Sequence, residues 1–187
     1  MNDNAVRSRP GTGLIIGIVF GLVFVIVNSG PLGSPASTVL RIAGVAVAAV
    51  LLFVLQARVR GGTGVGLPRD GGVGFTRGYW IVVAIEVVAL FGGLMLINGV
   101  FGHGEFGVAW VAVVVGLHFV GLGVVWHAPS LHVLGGVLTG LGILGAVLGL
   151  ATGSAAWIAG VAGVGSGAAL LAGTAYALWA WRDISTA

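Results

Sequence analysis

The sequence predicts an all-α, polytopic membrane protein, a six-transmembrane-helix bundle. Of the 187 residues, 58% are apolar, 7% are charged and 36 are glycine, and the mean hydropathy is +1.13. A water-soluble domain carries charge on about a quarter of its residues, so this composition excludes that class. The apolar residues also form continuous blocks, several of which reach the roughly 18 to 20 residues that cross a bilayer.

Six apolar blocks separated by polar connections are expected to be the spans. They lie near residues 13–28, 38–56, 78–98, 106–126, 131–150 and 155–179. The longest connection, residues 57–77, is too short to fold alone, so residues 1–187 are predicted to form a single integral membrane domain. The first block also has the pattern of a signal peptide, an alternative that would leave five crossings.

Basic residues predict the orientation of the chain. The connections on one predicted side contain Arg7, Arg9, Arg58, Arg60, Arg69, Arg77 and Arg182. We therefore expect arginine on one side only, which the positive-inside rule makes cytoplasmic, with both termini there and a multi-pass location in the cell inner membrane. The net charge of +3 comes from these few loop residues, so nucleic acid is not an expected partner. There is no cysteine, which excludes disulfides and thiolate chemistry.

Glycines recur at every fourth residue in several blocks. Small residues allow the backbones of membrane helices to touch, so these positions predict packing faces, or else space for a ligand. The positions are Gly13, Gly17 and Gly21, then Gly136 and Gly140, Gly145 and Gly149, and Gly163 and Gly167. The glycine-rich run at 61–66 lacks the Lys-Ser/Thr of a phosphate-binding loop and is interpreted as a flexible linker.

Two ionisable residues lie well inside predicted spans. Glu86 is in the third block and His118 in the fourth, each eight residues from the arginine-bearing end, which is roughly 12 Å deep at about 1.5 Å per residue. An ionisable group in the bilayer interior is costly and is a functional-site candidate by default. The two spans are antiparallel and joined by a short link, so we expect them to be neighbours and the two side chains to meet.

Several roles for this pair remain open at this point. A neutral acid hydrogen-bonded to imidazole would make Glu86 a proton donor that His118 orients or recharges, whereas an ion pair is the other protonation state. The purely structural alternative is a polar clasp between two helices. A metal site of Glu86, His118 and His127 would draw ligands from both the middle and the edge of the membrane, so neither a metal nor a cofactor is expected.

Aromatic residues gather near the span ends, as in the belts that anchor membrane proteins. Tyr79, Trp80 and Trp126 lie at the arginine-bearing ends of the two spans that carry Glu86 and His118, so they are also candidate walls of a cavity. Gly121 is expected to leave space beside the His118 ring.

Three classes of function compete. A membrane enzyme would use Glu86 as a general acid on a lipid-soluble substrate, a small proton-coupled transporter or channel would use the Glu86/His118 pair as a relay, and a scaffold would use neither. The spans lack paired aspartates for diphosphate chemistry and a Gly-x-Ser-x-Gly nucleophile motif. Few polar residues are spread along them, which favours proton chemistry on a hydrocarbon over a water-filled path.

A resemblance extends this interpretation. The third and fourth blocks, with Glu86, Asn98, Trp110 and Val115-Gly-Leu-His118-Phe119, resemble a group of small bacterial membrane proteins with an acid in one span and Gly-Leu-His-Phe in the next. They are also similar to the compact integral-membrane terpene cyclases of actinobacterial meroterpenoid pathways, of the drimentine and indole sesquiterpenoid type. The match covers about a quarter of the chain. It implies protonation of the terminal alkene or epoxide of a farnesyl group on an aromatic or cyclodipeptide head, followed by ring closure and proton loss.

The resemblance also implies roles for individual residues. Glu86 would donate the proton and His118 would be its partner. The residues implied to bind substrate are Tyr79, Trp80, Asn98, Trp110, Phe119 and Trp126. The implied partners are a lipid-soluble prenylated small molecule and membrane lipid, and the sequence leaves open whether the chain forms a homo-oligomer. The chain departs from the expected pattern because no second carboxylate lies in a span.

Overall fold

The computed structural model describes residues 11–60 and 76–184, and this part of the chain is helical without a β-strand. Its helices are α1 (Thr12–Asn28), α2 (Ala36–Arg60), α3 (Arg77–Met95), α4 (Gly107–Val125), α5 (Pro129–Thr152), α6 (Ala155–Ile158) and α7 (Ser166–Ile184). A π-helical turn, Leu96–Val100, extends α3, and a second π-helical stretch, Ala159–Gly165, joins α6 to α7.

The helices confirm the predicted all-α membrane bundle. Within the described residues, five helical rods are long and apolar enough to cross a membrane: α2, α3 with its π turn, α4, α5, and α6 joined to α7. The remaining rod, α1, has 17 residues, which is about 26 Å of rise and near the lower limit for a span. The predicted bounds agree with the helices to within a few residues. The predictions of the orientation and of a flexible linker rest in part on the terminal residues and on residues 61–66. These residues lie outside the described part of the chain.

Arginine lies at both ends of the bundle, so the prediction that it occupies one side only is wrong. Arg41 follows shortly after the start of α2, whereas Arg58 and Arg60 lie in its last turn. The Nε of Arg41 donates to Oγ of the buried Ser29 at 2.9 Å. A long arginine side chain can cover apolar surface with its stem while its head reaches the interface, which explains why an apolar block tolerates this residue.

Helices α4 and α5 touch backbone to backbone through glycines. A Cβ at Gly116 would lie 2.6 Å from the backbone nitrogen of Thr139 and 2.7 Å from the carbonyl oxygen of Gly135. A Cβ at Gly142 would lie 2.8 Å from the carbonyl oxygen of Ala109. Because no larger side chain fits at either position, glycine is what allows the short backbone-to-backbone distance between α4 and α5.

The predicted glycine faces are confirmed in part. A Cβ at Gly167 would lie 2.6 Å from the carbonyl oxygen of Gly21, and similar close contacts occur at Gly17, Gly145, Gly149 and Gly163. The prediction is wrong for Gly13, Gly136 and Gly140, which have nothing within 4 Å of an added Cβ. Four-residue spacing places glycines on one face of a helix, but it does not determine whether that face is directed toward a neighbouring helix.

Helix α3 is the most loosely attached rod. It packs chiefly on α4, and none of its residues is fully buried. Large apolar side chains cover its outer face, including Ile85, Val88, Phe91 and Met95. In a bilayer this face is directed to lipid, so the acid of this helix sits at the rim of the bundle and not in its centre.

Candidate functional site at the seam between α3 and α4

One line of contacts joins α3 to α4, and we call it the α3–α4 seam. From the end near Arg77 to the opposite end, its contacting pairs are Tyr79 with Trp126, Val82 with Gly121, Glu86 with His118, and Gly93 with Trp110. Residues 79, 82, 86 and 93 follow the three- and four-residue steps of a single helix face. The seam therefore contains one carboxyl–imidazole layer between apolar and aromatic layers.

The predicted meeting of Glu86 and His118 is confirmed. Oε2 of Glu86 lies 3.0 Å from Nδ1 of His118, and the side chains are 20% and 15% exposed, respectively. The oxygen is within ion-pair distance, but its direction from the ring does not meet that of a hydrogen bond. Glu86 lies nine residues after Arg77, roughly 14 Å along α3, which places the contact in the interior of the span.

The Glu86–His118 pair has no net charge when the carboxyl and imidazole groups share one titratable proton. A carboxylic acid beside neutral imidazole and a carboxylate beside imidazolium have the same total charge, so an apolar medium penalises neither state as strongly as an isolated ion. Such a pair can release a proton to a third group from the carboxyl oxygen or take one back. This chemistry requires no other ionisable side chain.

An aromatic stack closes the seam at the end near Arg77. The rings of Tyr79 and Trp126 are stacked with centroids 6.0 Å apart and planes at 12°. Trp80 meets Tyr79 edge to face at 5.3 Å and is 59% exposed. These three residues lie together as predicted, but Tyr79 is seven residues, or roughly 10 Å, from Glu86, so the stack caps the seam and does not surround the acid.

Gly121 serves a different purpose from the one predicted. An added Cβ there would lie 3.1 Å from a methyl group of Val82. The missing side chain thus admits Val82 of α3 and leaves no open space beside the imidazole. A layer of hydrocarbon therefore separates the Glu86–His118 contact from the aromatic stack.

Trp110 occupies the other end of the seam. Its Nε1 donates to the carbonyl oxygen of Ala89 at 2.9 Å, and its ring fills the space above Gly93. Ala89 lies three residues after Glu86, so the hydrogen bond connects the indole to the backbone one turn from the acid. Sequence spacing shows Gly93 on the face of Glu86, but only the docking of α4 identifies the ring that fills the gap.

Phe119 packs toward the bundle core, whereas Asn98 is exposed. The ring of Phe119 meets that of His118 edge to face at 5.9 Å and packs with Val115 against the bundle core. Asn98 is exposed in the π turn of α3, and its Nδ2 donates to the carbonyl oxygen of Leu94 at 2.8 Å. Asn98 thus satisfies its own helix and is not brought to the acid.

A cavity beside the seam was not predicted from the sequence. It has a volume of about 250 Å³ and is bounded by the π turn of α3, by α4 and by α5. Its lining includes Ile97, Phe106, Trp110, Val113, Ile143 and Val147. We call this space the outer groove, because it lies toward the helix ends opposite Arg77. Apolar residues line many lipid-facing surfaces, so nothing in the sequence distinguishes these from their neighbours before α5 is docked.

A second Glu–His contact lies at the 3₁₀ turn Gly104–Phe106, which precedes α4. Nδ1 of His103 is 3.0 Å from Oε1 of Glu105, and both side chains are well exposed. Hydrogen bonds from its own backbone N–H and from His103 hold the pKa of Glu105 below its usual range. This exposed contact offers a natural control for the inner one.

The described His, Asp and Glu side chains do not form a metal site. In residues 11–60 and 76–184, no cluster of three or more His, Asp or Glu side chains is arranged to hold a metal ion. Protein-family, curated-protein and solved-structure comparisons give no match to this chain. The interpretation of the site therefore depends on the chemistry of its own residues.

Proposed function

We propose that the protein is a cofactor-free terpene cyclase of the membrane, which uses Glu86 as a general acid on the prenyl chain of a lipid-soluble substrate. The observation that carries the proposal is the 3.0 Å contact between a carboxyl group and an imidazole inside an apolar span. Protonation of an alkene needs an acid kept away from bulk water, because water would take up the proton and trap the cation. The hydrocarbon layers of the seam provide that separation.

The reaction balances without any further reactant. The O–H bond of Glu86 breaks, the π electrons of the terminal alkene form a C–H bond at its CH carbon, and a tertiary cation is left on the dimethyl carbon. The π bond of the next alkene attacks that cation and closes a ring. The last cation loses a proton to the Glu86 carboxylate, directly or through His118, so the product is an isomer of the substrate. With a terminal epoxide, the proton goes to oxygen and the C–O bond opens.

The neighbours of the pair suit a positively charged intermediate. The rings of Phe119 and Trp110 lie near the pair, Phe119 in edge-to-face contact with His118 and Trp110 hydrogen-bonded one turn from Glu86, and aromatic rings stabilise cations in a desolvated place. After proton transfer, the carboxylate of Glu86 also faces the substrate cation, so charge remains balanced within the site. Lateral entry from the bilayer is supported by the position of α3 at the rim of the bundle.

The described part of the seam gives no support to the transporter alternative. The layers next to the Glu86–His118 contact are Val82 with Gly121 on one side and Trp110 with Gly93 on the other. A relay needs further groups that accept and donate protons at hydrogen-bond distance, and these layers within the described α3 and α4 supply none in sequence along the seam. We therefore favour an acid that acts locally over one that conducts.

A turnover assay tests the proposal. The purified protein in lipid nanodiscs is incubated with a farnesylated indole and, separately, with a farnesylated cyclodipeptide, and products are analysed by mass spectrometry and NMR. We expect a product of unchanged mass with new rings from the wild type, and its loss in Glu86→Gln. The matched control is Glu105→Gln, which breaks the exposed Glu–His contact of the same length and should leave turnover unchanged.

Transport is tested on the same preparations. In liposomes loaded with a pH-sensitive dye, we expect the wild type and Glu86→Gln to pass protons equally slowly. Proton flux that depends on Glu86, in the absence of any cyclised product, would refute the cyclase and favour the relay.

A further inference from the structure

We propose that Arg41 and the turn between α1 and α2 bind the phosphate group of an anionic phospholipid, a role that is independent of the proposed cyclase. The site lies at the end of α2 opposite Arg58 and Arg60, and on a different pair of helices from the Glu86–His118 contact. The proposal rests on a guanidinium group that a buried hydroxyl holds in place.

The side chain of Arg41 begins inside a span, but its charged head reaches the end of the span. Arg41 lies five residues after the start of α2, which is roughly 8 Å along the helix. Its neighbours along the chain include the exposed apolar residues Val39 and Ile42. The guanidinium contacts Ser29, the residue directly after α1. It therefore lies where α1 leaves the hydrocarbon, at the level of the lipid headgroups.

A buried hydroxyl group fixes the orientation of the guanidinium. Ser29 is fully buried, and its Oγ donates to the carbonyl oxygen of Ile26 at 3.1 Å. The same oxygen accepts from Nε of Arg41 at 2.9 Å. Nη2 of Arg41 lies over Gly30, 3.7 Å from the position of an added Cβ. Because the planar group is already held, it loses less ordering entropy when it binds a ligand.

The outer edge of the guanidinium is directed away from these protein contacts. In the described part of the chain, the hydrogen bond of Arg41 is the one from Nε to Ser29. Both ion pairs among those residues join a glutamate to a histidine, and neither includes Arg41. The paired N–H groups of Nη1 and Nη2 match the spacing of two phosphate oxygens, which arginine binds in a bidentate manner.

The surface beside this fork favours a lipid over a free anion. Exposed apolar side chains continue along α2 toward the middle of the span, among them Ile42 and Val45. An added Cβ at Gly44 would lie 3.0 Å from a methyl group of Val25, so α1 and α2 pack closely one turn from the guanidinium. A lipid would meet charge at its phosphate and apolar surface at its acyl chains, whereas inorganic phosphate would meet only the charge.

The charge of the site favours an anionic lipid over a zwitterionic one. Arg41 contributes a single positive charge, and the described carboxyl groups, Glu86 and Glu105, each contact a histidine elsewhere in the fold. The ammonium group of phosphatidylcholine would thus lie near a like charge without a negative partner. Phosphatidylglycerol has a negatively charged headgroup without an amine, so it is the lipid that fits.

Native mass spectrometry tests the proposal. The purified protein in detergent is titrated with phosphatidylglycerol and, separately, with phosphatidylcholine, and bound lipids are counted by mass. We expect the first phosphatidylglycerol to bind about fivefold or more tightly than phosphatidylcholine, the scale of one arginine at a membrane surface, and Arg41→Gln to remove this preference.

The matched control removes the same charge from the other end of α2. Arg60 is exposed there, and Arg60→Gln should retain the wild-type preference for phosphatidylglycerol. Equal losses in Arg41→Gln and Arg60→Gln would show that the lipid responds only to net charge and would overturn the proposal.

A third variant tests whether the held geometry matters. Ser29→Ala keeps the charge of Arg41 but removes the oxygen that accepts from its Nε. We expect phosphatidylglycerol to bind about two- to tenfold more weakly to this variant, because a mobile side chain must then be ordered on binding. Undiminished binding would mean that Arg41 acts as a mobile charge and would contradict a built site.

Photolabelling locates the bound lipid. The probe is a phosphatidylglycerol with a diazirine beside its glycerol backbone, irradiated with the protein in phosphatidylcholine vesicles and mapped by peptide mass spectrometry. We expect adducts on the turn between α1 and α2 that excess phosphatidylglycerol suppresses and excess inorganic phosphate does not. Suppression by inorganic phosphate would assign the site to a free anion, and equal labelling at both ends of α2 would show no site; either result would refute the proposal.

Thermal unfolding covers the case in which Arg41→Gln folds poorly, because it needs only the wild type. Phosphatidylglycerol should raise the Tm above its value in phosphatidylcholine, since a ligand that binds the folded state stabilises it. Equal Tm values in the two lipids would count against the site. Glu86→Gln should show the same lipid preference as the wild type, so loss of turnover and loss of lipid binding are separate outcomes.

Discussion

Two Glu–His contacts of equal length occur among the residues that the structure describes, and they differ in almost everything else. Glu86 meets His118 at 3.0 Å, and Glu105 meets His103 at 3.0 Å. The first contact joins two antiparallel helices inside a span, with both side chains at most 20% exposed. The second joins residues two apart at the exposed 3₁₀ turn before α4. An equal distance therefore does not mean equal chemistry.

The difference lies in the surroundings of each pair. Water and salt screen the loop contact, so it stabilises the fold little and exchanges protons freely. Hydrocarbon surrounds the seam contact, so its proton can go only to its partner or to a ligand that enters the seam. Position in the bilayer, and not the pairing itself, therefore makes Glu86 the candidate acid.

The largest expected effect concerns turnover in the two Glu→Gln variants. Glu86→Gln should lower product formation by about 10²- to 10⁴-fold, because glutamine retains the shape but has no acidic proton, and general acids contribute on this scale. Glu105→Gln should retain wild-type turnover. Equal losses in the two variants would show that either change merely damages the fold.

Removing the imidazole should give the next largest effect. His118→Ala should lower turnover by about tenfold or more, since it removes the group that orients or recharges the acid, and added imidazole should partly restore activity. His103→Ala should leave turnover unchanged. Undiminished activity in His118→Ala would assign His118 a structural role only.

The seam predicts a difference in stability between two adjacent glycines. Gly93→Ala would overlap the ring of Trp110, whereas Gly92→Ala meets open space. We expect Gly93→Ala to lower the free energy of unfolding by about 1 to 3 kcal/mol relative to Gly92→Ala, as overpacking does. Thermal unfolding in matched detergent measures this difference, and equal stabilities would mean that Trp110 does not hold α3 to α4.

The smallest expected effect is on the exposed carboxyl group. Since its backbone N–H and, to a smaller extent, His103 lower the pKa of Glu105, His103→Ala should raise that pKa part of the way toward its usual value. The lowered pKa stabilises the folded state above the unfolded pKa, and this contribution is lost as the pH falls through the folded pKa. NMR titration of Glu105 measures the shift, and no change in His103→Ala would assign the lowering to the backbone N–H alone.

Some of these features can be predicted from the sequence because they depend only on residues that are close together in the chain. Block length fixes which segments can span a bilayer, and the number of residues to each span end fixes the depths of Glu86 and His118. A short link then makes α3 and α4 neighbours. Depth and adjacency together were enough to predict the contact between the two side chains.

Other features depend on the rotation of each helix about its own axis, which sequence spacing leaves open. Gly136 and Gly140 have the same spacing as Gly145 and Gly149, yet only the latter pair faces a neighbour. Gly121 admits Val82 instead of leaving space beside His118. The outer groove requires α3, α4 and α5 to be docked together, so no single helix encodes it.

Deuterium incorporation shows whether Glu86 is needed to deliver the proton that starts the cyclisation. The protein is incubated with a farnesylated indole in D₂O, and the cyclised product is analysed by mass spectrometry and NMR. We expect the wild type to place a single deuterium on the carbon that was the CH of the terminal alkene, next to the dimethyl carbon, and Glu86→Gln to form no such product. A deuterated, cyclised product formed equally well by Glu86→Gln would contradict the assignment of Glu86 as the acid.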